Sequence, residues 1–99
     1  MELPEVVEAR KLLEDLKEGK LMERLDHFVR LNEGLESKKG KEFVEVSLLG
    51  FLEGMLLILR SRYPSDERVG RLYEKISERR RELDALFRRP RVPVLDDEP

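Results

Sequence analysis

The segment FVEVSLLGFLEGMLLIL, residues 43–59, is the most hydrophobic part of the chain and decides its fold. On a helical wheel its apolar side chains cover most of the circumference, and Glu45 and Glu53 mark a narrow polar strip. A helix of this kind needs neighbours on most of its sides. We therefore predict a central helix over residues 42–62, ended by Pro64 because proline disfavours helical geometry at the preceding residue.

A strand is the alternative structure for the start of this segment. Apolar residues alternate at positions 44, 46 and 48, which allows a strand over residues 42–49 that breaks at Gly50. A strand needs a hydrogen-bonded partner, and apart from the C-terminal tail no second segment has a strand pattern. The helix is therefore the favoured interpretation.

Two amphipathic segments precede the central helix. Pro4 suits the first turn of a helix, and the apolar spacing that follows predicts a helix over residues 4–18 with Gly19 as its C-cap. A second helix is predicted over residues 20–38, although Gly34 in its interior costs about 1 kcal/mol relative to alanine. The short connection at Gly19 makes these two helices an antiparallel pair.

A fourth helix and a tail follow the central helix. Ser65 is a good N-cap, and apolar residues then recur in threes and fours, which predicts a helix over residues 66–88. Residues 90–99 contain three prolines and are expected to be extended and acidic. The sequence thus predicts an all-α protein, with a compact four-helix bundle as a single domain over residues 1–89 and a tail over 90–99.

Composition excludes several classes of protein. The 99 residues suit one domain, and 39% hydrophobic with 42% charged residues is not the composition of a disordered chain. A net charge of −2 excludes bulk electrostatic coating of nucleic acid. Without cysteine there are no disulfides, cysteine-ligated zinc sites or thiol nucleophiles. Because nucleophile-elbow and phosphate-loop motifs are also missing, we expect no enzyme and no cofactor.

The compartment is also predicted from composition. The N-terminus lacks the apolar region of a signal peptide, and no segment approaches the ~20 apolar residues of a membrane span. We therefore expect a cytoplasmic protein that does not bind membranes. A single Asn, no Gln and no Thr, together with many Glu, Arg and Lys, indicate a protein from a hot environment.

The first candidate site is a groove on the central helix. Ser47, Gly50 and Gly54 lie together on the side opposite its polar strip, where their small size permits the close approach of another backbone. Either another helix of the same chain fills this groove, or a second copy does so in a two-fold dimer. We favour the homodimer.

The second candidate is a buried ion pair between Glu53 and Arg79. Glu53 is the acid deepest in the central helix, and Arg79 interrupts the apolar seam of the fourth helix. A buried carboxylate can act as an acid or base, but such catalysis needs a second placed group and none is recognisable. Pairing of the two charges is therefore the favoured interpretation.

The third candidate is a concentration of basic residues. Residues 60–91 hold 11 basic and 6 acidic side chains in an otherwise acidic chain. A phosphate-binding face for nucleic acid would use Arg68, Arg71, Arg79, Arg80, Arg81, Arg88 and Arg89. The favoured alternative pairs these arginines with acids such as Glu74, Glu78 and Glu82, as in an ion-paired surface helix.

The remaining candidate features are His27 and the C-terminal tail. His27 is the only histidine and follows Glu23 by one helical turn, but the Glu-x-x-His pairs of di-metal bundles are missing, so we expect no metal site. In the tail, Val92, Val94 and Leu95 form an apolar set that would suit a partner's groove or a sheet edge. The alternative is a tail that folds back over its own bundle or stays disordered.

These observations predict a small, non-enzymatic helical interaction or adaptor protein that forms homodimers and contacts a protein partner through its tail. The alternative function is a nucleic-acid-associated regulator that acts through the arginines of the fourth helix.

Overall fold

The chain folds into a four-helix bundle with one additional helical turn, in a computed structural model that describes residues 3–88, with side chains through residue 86. Its helices are α1 (Pro4–Asp15), α2 (Gly19–Glu33), α3 (Glu36–Lys39), α4 (Lys41–Arg62) and α5 (Glu67–Arg88). The predicted all-α bundle is confirmed. The strand interpretation of residues 42–49 is wrong, because these residues lie in the first turns of α4.

The four long helices run up, down, up and down around a shared core. Each long helix packs against the next one along the chain, and α5 closes the bundle against α1. The antiparallel course of α1 and α5 is visible in their ion pairs, since Glu5 meets Arg79 and Glu8 meets Lys75. Among the described helices, none combines the length and the apolarity that a membrane span requires.

Two predicted helix boundaries are wrong, namely the ends of the first and second helices. α1 ends at Asp15, and Lys17 takes the left-handed conformation (φ 59°), so that Gly19 begins α2 instead of capping α1. The predicted helix over residues 20–38 is broken at Gly34, which is the C-cap of α2. Leu35 then packs against the core between α2 and the single turn of α3.

The central helix packs against α1, α2, α3 and α5. Its buried face consists of Val44, Leu48, Leu49, Leu52, Met55, Leu56 and Leu59. The polar strip of Glu45 and Glu53 borders this face and meets arginines of α5. The expected neighbours α1, α2 and α5 thus all contact α4, and the remaining side, opposite its buried face, carries no helix of the described chain.

Candidate interaction site

The uncovered side of α4 is formed by uncharged residues of that helix, and we call it the outer face; at its N-terminal end the Lys39 ammonium lies 5.9 Å from the ring centre of Phe43. Helical spacing aligns on it Phe43, Val46, Ser47, Gly50, Phe51, Gly54, Leu57, Ile58 and Ser61. Three of its large apolar side chains are exposed: Phe43 at 42%, Leu57 at 49% and Ile58 at 39%. In a chain with 42% charged residues, a row of uncharged residues from Phe43 to Ser61 is a candidate contact site.

The predicted groove lies in the middle of the outer face and is open. The structure brings Ser47, Gly50 and Gly54 to the same side of α4, as their spacing predicts. A Cβ placed on Gly54 would have no neighbour within 4 Å, and one on Gly50 would meet only the Cδ atom of Arg80 at 3.9 Å. No described helix of this chain fills the groove, so the first of the two interpretations above is wrong.

Helix α2 extends the outer face along one edge. The ring of Phe28 stacks on that of Phe51, with centroids 4.4 Å apart and planes 9° from parallel. Arg24 and Ile58 line the same surface depression at the far end of this edge. Leu31 follows Phe28 by three residues and Arg24 by seven, which places it on the same side of α2. With 58% of its surface exposed, Leu31 adds a large apolar group to this edge.

Helix α5 forms the other edge with a network of polar side chains. Ser77 Oγ donates a hydrogen bond to Glu53, and Arg80 Nε donates to Glu53 Oε1 at 2.6 Å. Arg80 also binds Asp84 through Nη1 at 2.7 Å. Burial of Glu53 raises its pKa, but the hydrogen bonds from Ser77 and Arg80 outweigh that effect, so the pKa lies below its ordinary value. The network holds the stem of Arg80 against Gly50.

The predicted pair of Glu53 with Arg79 is not formed. Glu53 binds Arg80, the next residue along α5, whereas Arg79 points toward α1. There its Nη1 donates to both carboxylate oxygens of Glu5, at 3.1 and 2.8 Å, and its Nη2 lies 3.8 Å from Glu45. Successive residues of a helix point about 100° apart, so the two arginines bind acids on different helices.

Glu5 is the site residue that the sequence analysis missed. Glu5 is only 3% exposed, although it lies in the first turn of α1. The available signal was its spacing, since Glu5 precedes Ala9 by four residues and Leu12 by seven and thus shares the core-facing side of α1. A buried carboxylate on that side needs a cation as its partner, and Arg79, whose side chain is 34% exposed, supplies it.

The arginines proposed for phosphate binding do not form one face. Arg68 binds Asp66 at 2.8 Å and Asp15 at 3.1 Å, and Arg71 binds Glu67 at 3.3 Å. Arg79 and Arg80 are paired as described above. Arg81 is exposed and, by helical spacing, lies on another side of α5. The side chain of Arg88 and residue Arg89 lie outside the described residues. Several acids that bind these arginines lie on other helices. Among the ion pairs of the described residues, Glu74, Glu78 and Glu82 are not partners of these arginines.

The remaining candidates carry no site in the described part of the chain. His27 is exposed, and the neighbouring Asp26 accepts hydrogen bonds from Arg10 at 2.6 and 3.2 Å. Among residues 3–86, no three His, Asp or Glu side chains lie close enough to hold a metal ion. Val92, Val94 and Leu95 lie outside the described residues, so the expectation for the tail stays a prediction.

The fold and this surface define a class of protein, a small all-α bundle with an open, uncharged helix face. The chain belongs to the family described as "protein of unknown function (DUF3216)", whose match extends over residues 6–97. Its fold is similar to the crystal structure of a singleton protein, PF1176, from P. furiosus, with a TM-score of 0.78 and 28% sequence identity over 86% of this chain and 92% of that one. A search of the curated proteins finds no match to this chain.

Proposed function

We propose that this chain is a small, non-enzymatic helical interaction protein that forms a homodimer through the outer face of α4. The observation that carries the proposal is the exposure of Phe43, Leu57 and Ile58 on a helix face that carries no charged side chain. Most exposed apolar residues stand singly among charges and need no explanation, whereas exposed apolar residues at both ends of one uncharged helix face favour an interface.

The energetics favour a dimer that dissociates on dilution. Full burial of a Leu, Ile or Phe side chain contributes about 1.5–3 kcal/mol, and these three are roughly half exposed. Two copies together therefore gain roughly 5–9 kcal/mol from the six side chains. Association costs roughly 4–15 kcal/mol in lost translational and rotational freedom, so contacts from α2 and α5 must add to the balance.

The first experiment is the absolute mass in solution, by size-exclusion chromatography with light scattering over a wide range of concentrations. We expect twice the chain mass of 11.7 kDa at high concentration, falling on dilution. Leu57→Glu places a charge at the outer face and should give a monomer with an unchanged helical circular dichroism spectrum.

The matched control is Leu86→Glu, because Leu86 in α5 is exposed to the same degree (51%) as Leu57 (49%) but lies outside the outer face. This variant should keep the wild-type mass. A wild-type chain that is monomeric at every concentration, or a dimer that Leu57→Glu leaves intact, would contradict the proposal.

The nucleic-acid alternative is read from the same measurement. With no Trp and only two Tyr, the protein absorbs weakly at 280 nm, so bound nucleic acid would raise the 260/280 nm ratio strongly. Since Arg68, Arg71, Arg79 and Arg80 are already paired with acids, we expect a clean protein spectrum. A high ratio that falls with added salt would favour the regulator instead.

A further inference from the structure

We propose that two copies of α4 pack antiparallel across a two-fold axis that passes at the level of Leu52; this inference rests on the homodimer proposed above. The outer face is arranged symmetrically about that level. Eight of its nine residues form four pairs whose numbers each sum to 104: Gly50 with Gly54, Ser47 with Leu57, Val46 with Ile58, and Phe43 with Ser61; the ninth, Phe51, has no such counterpart on the outer face. An antiparallel two-fold contact brings each residue to the same level along the helix as the other member of its pair in the second copy.

Two of the four pairs combine a large side chain with a small one, one pairs two glycines, and Val46 with Ile58 pairs two large side chains. Two glycines meet at the centre, where the helix axes come closest. Further out, the exposed Leu57 meets the small Ser47, and Phe43 meets Ser61. A parallel two-fold contact places each residue against its own copy instead, with Phe43 on Phe43 and Ser47 on Ser47. That arrangement crowds the large side chains and leaves gaps at the small ones.

The charges at the edge of the outer face agree with the antiparallel arrangement. Glu42 and Arg60 are both exposed and stand 18 residues apart, which is five full turns, so they lie on the same edge. An antiparallel two-fold contact brings like edges together and sets Glu42 against Arg60 of the second copy, at levels about 3 Å apart. The Arg60 guanidinium lies 5.0 Å from the ring centre of Tyr73, which positions it on that edge.

The size of the contact requires the flanking helices. From Phe43 to Ser61 the outer face is about 27 Å long and about 10 Å wide, which is small beside the roughly 800 Å² per partner of a standard interface. Antiparallel packing places α2 beside α2 of the second copy, and α5 beside α5 of the second copy. Leu31, with 58% of its surface exposed on the α2 edge, then gains a partner. A second copy therefore accounts for the apolar groups of both α4 and α2.

Cysteine cross-linking tests the arrangement, because the natural chain contains no cysteine. Ser47→Cys and Leu57→Cys are made as separate single variants of the full chain. In the antiparallel dimer, residue 47 lies opposite residue 57 of the second copy, whereas the two copies of residue 47 are about 15 Å apart along the helix. A disulfide requires Cα atoms within about 7 Å.

We expect a disulfide-linked dimer under mild oxidation when the two single variants are mixed, and little in either variant alone. Glu74→Cys, at an exposed position of α5 away from the outer face, measures the background of random collisions. Cross-linking of Ser47→Cys alone above that background would show a parallel contact and overturn the inference.

The outcomes separate this inference from the homodimer itself. A dimer by light scattering in which no mixture cross-links above background would overturn the antiparallel pairing and leave the homodimer standing. A monomeric wild-type chain would overturn both.

As a second measurement, Glu42→Arg and Arg60→Glu should each raise the dimer dissociation constant several-fold, and the double variant should restore it; additive losses would contradict the pairing.

Discussion

At the scale of single residues, Glu5 is the side chain that most needs its partner. It is 3% exposed and accepts two hydrogen bonds from Arg79, while Glu45 lies farther from the same guanidinium. One arginine of α5 thereby connects the start of α1 to the start of α4. A buried charge without a partner costs several kcal/mol, so both groups are required together.

We predict that Glu5→Gln lowers the free energy of unfolding by about 1–3 kcal/mol, because it removes a charge-assisted hydrogen bond from a buried site. Urea denaturation followed by circular dichroism measures the change. The control is Glu8→Gln, since Glu8 binds Lys75 at 2.7 Å where both side chains are about half exposed. Exposed pairs contribute about 0–1 kcal/mol, so equal losses in the two variants would contradict the importance of burial.

At the scale of helices, the connection between α2 and α4 depends on two glycines with different conformations. Gly34 has φ −80°, which any residue can adopt, and a Cβ there would have no neighbour within 4 Å. Gly40 has φ 96°, a conformation that residues with a side chain rarely adopt, and it is the N-cap of α4. The connection between α2 and α4 therefore needs a glycine at position 40 but not at position 34.

We predict opposite effects for alanine at the two positions. Gly34→Ala should raise stability by about 0.5–1 kcal/mol, because alanine loses less conformational entropy on folding. Gly40→Ala should lower it by about 1–2 kcal/mol, because its Cβ disfavours positive φ. Thermal melts of the two variants test this, each serving as the control for the other. A destabilising Gly34→Ala would contradict the open surroundings of that residue.

At the scale of the whole molecule, hydrogen bonds between helices make stability depend on pH. Glu18, between α1 and α2, accepts bonds from Tyr63 Oη at 2.6 Å and Arg62 Nη1 at 2.5 Å, and these hold its pKa below the ordinary 4.5. The pKa of Glu53 is lowered too, by the bonds from Ser77 and Arg80. Both carboxylates bind a proton more weakly in the folded state than in the unfolded chain.

We therefore predict full stability above pH 4.5, the ordinary pKa of these groups, and a decline as the pH falls through their lower folded values. Melting temperature measured from neutral to acidic pH tests this. Glu53→Gln should make the decline in stability below pH 4.5 shallower, because the variant lacks one of the two carboxylates that take up a proton on unfolding. Glu33→Gln, at an exposed position, is the control. An unchanged pH profile in Glu53→Gln would contradict the lowered pKa of Glu53.

Much of the architecture was predictable because the signals are local. Helical spacing identified all four long helices, and the predicted 42–62 and 66–88 differ from α4 and α5 by one residue at their starts. The predicted caps are wrong, because Gly19 begins α2 and Asp66, not Ser65, accepts a hydrogen bond from the backbone N–H of Arg68. The broken helix at Gly34 was not predicted, because a glycine inside a helical pattern indicates a cost but not its outcome. The groove residues were placed on one side of α4 correctly, since that follows from helical geometry alone.

The sequence by itself determined that the chain is all-α and where its long helices lie, because backbone periodicity and capping act within a few residues. Only the tertiary structure decided which face of α4 is buried. The apolar residues of α4 cover most of its circumference, so their pattern does not identify the face that is buried. The packing of α2 and α5 against α4 determines that face. The same packing directs Arg80 to Glu53 and Arg79 to Glu5, because neighbouring residues of one helix face different partners.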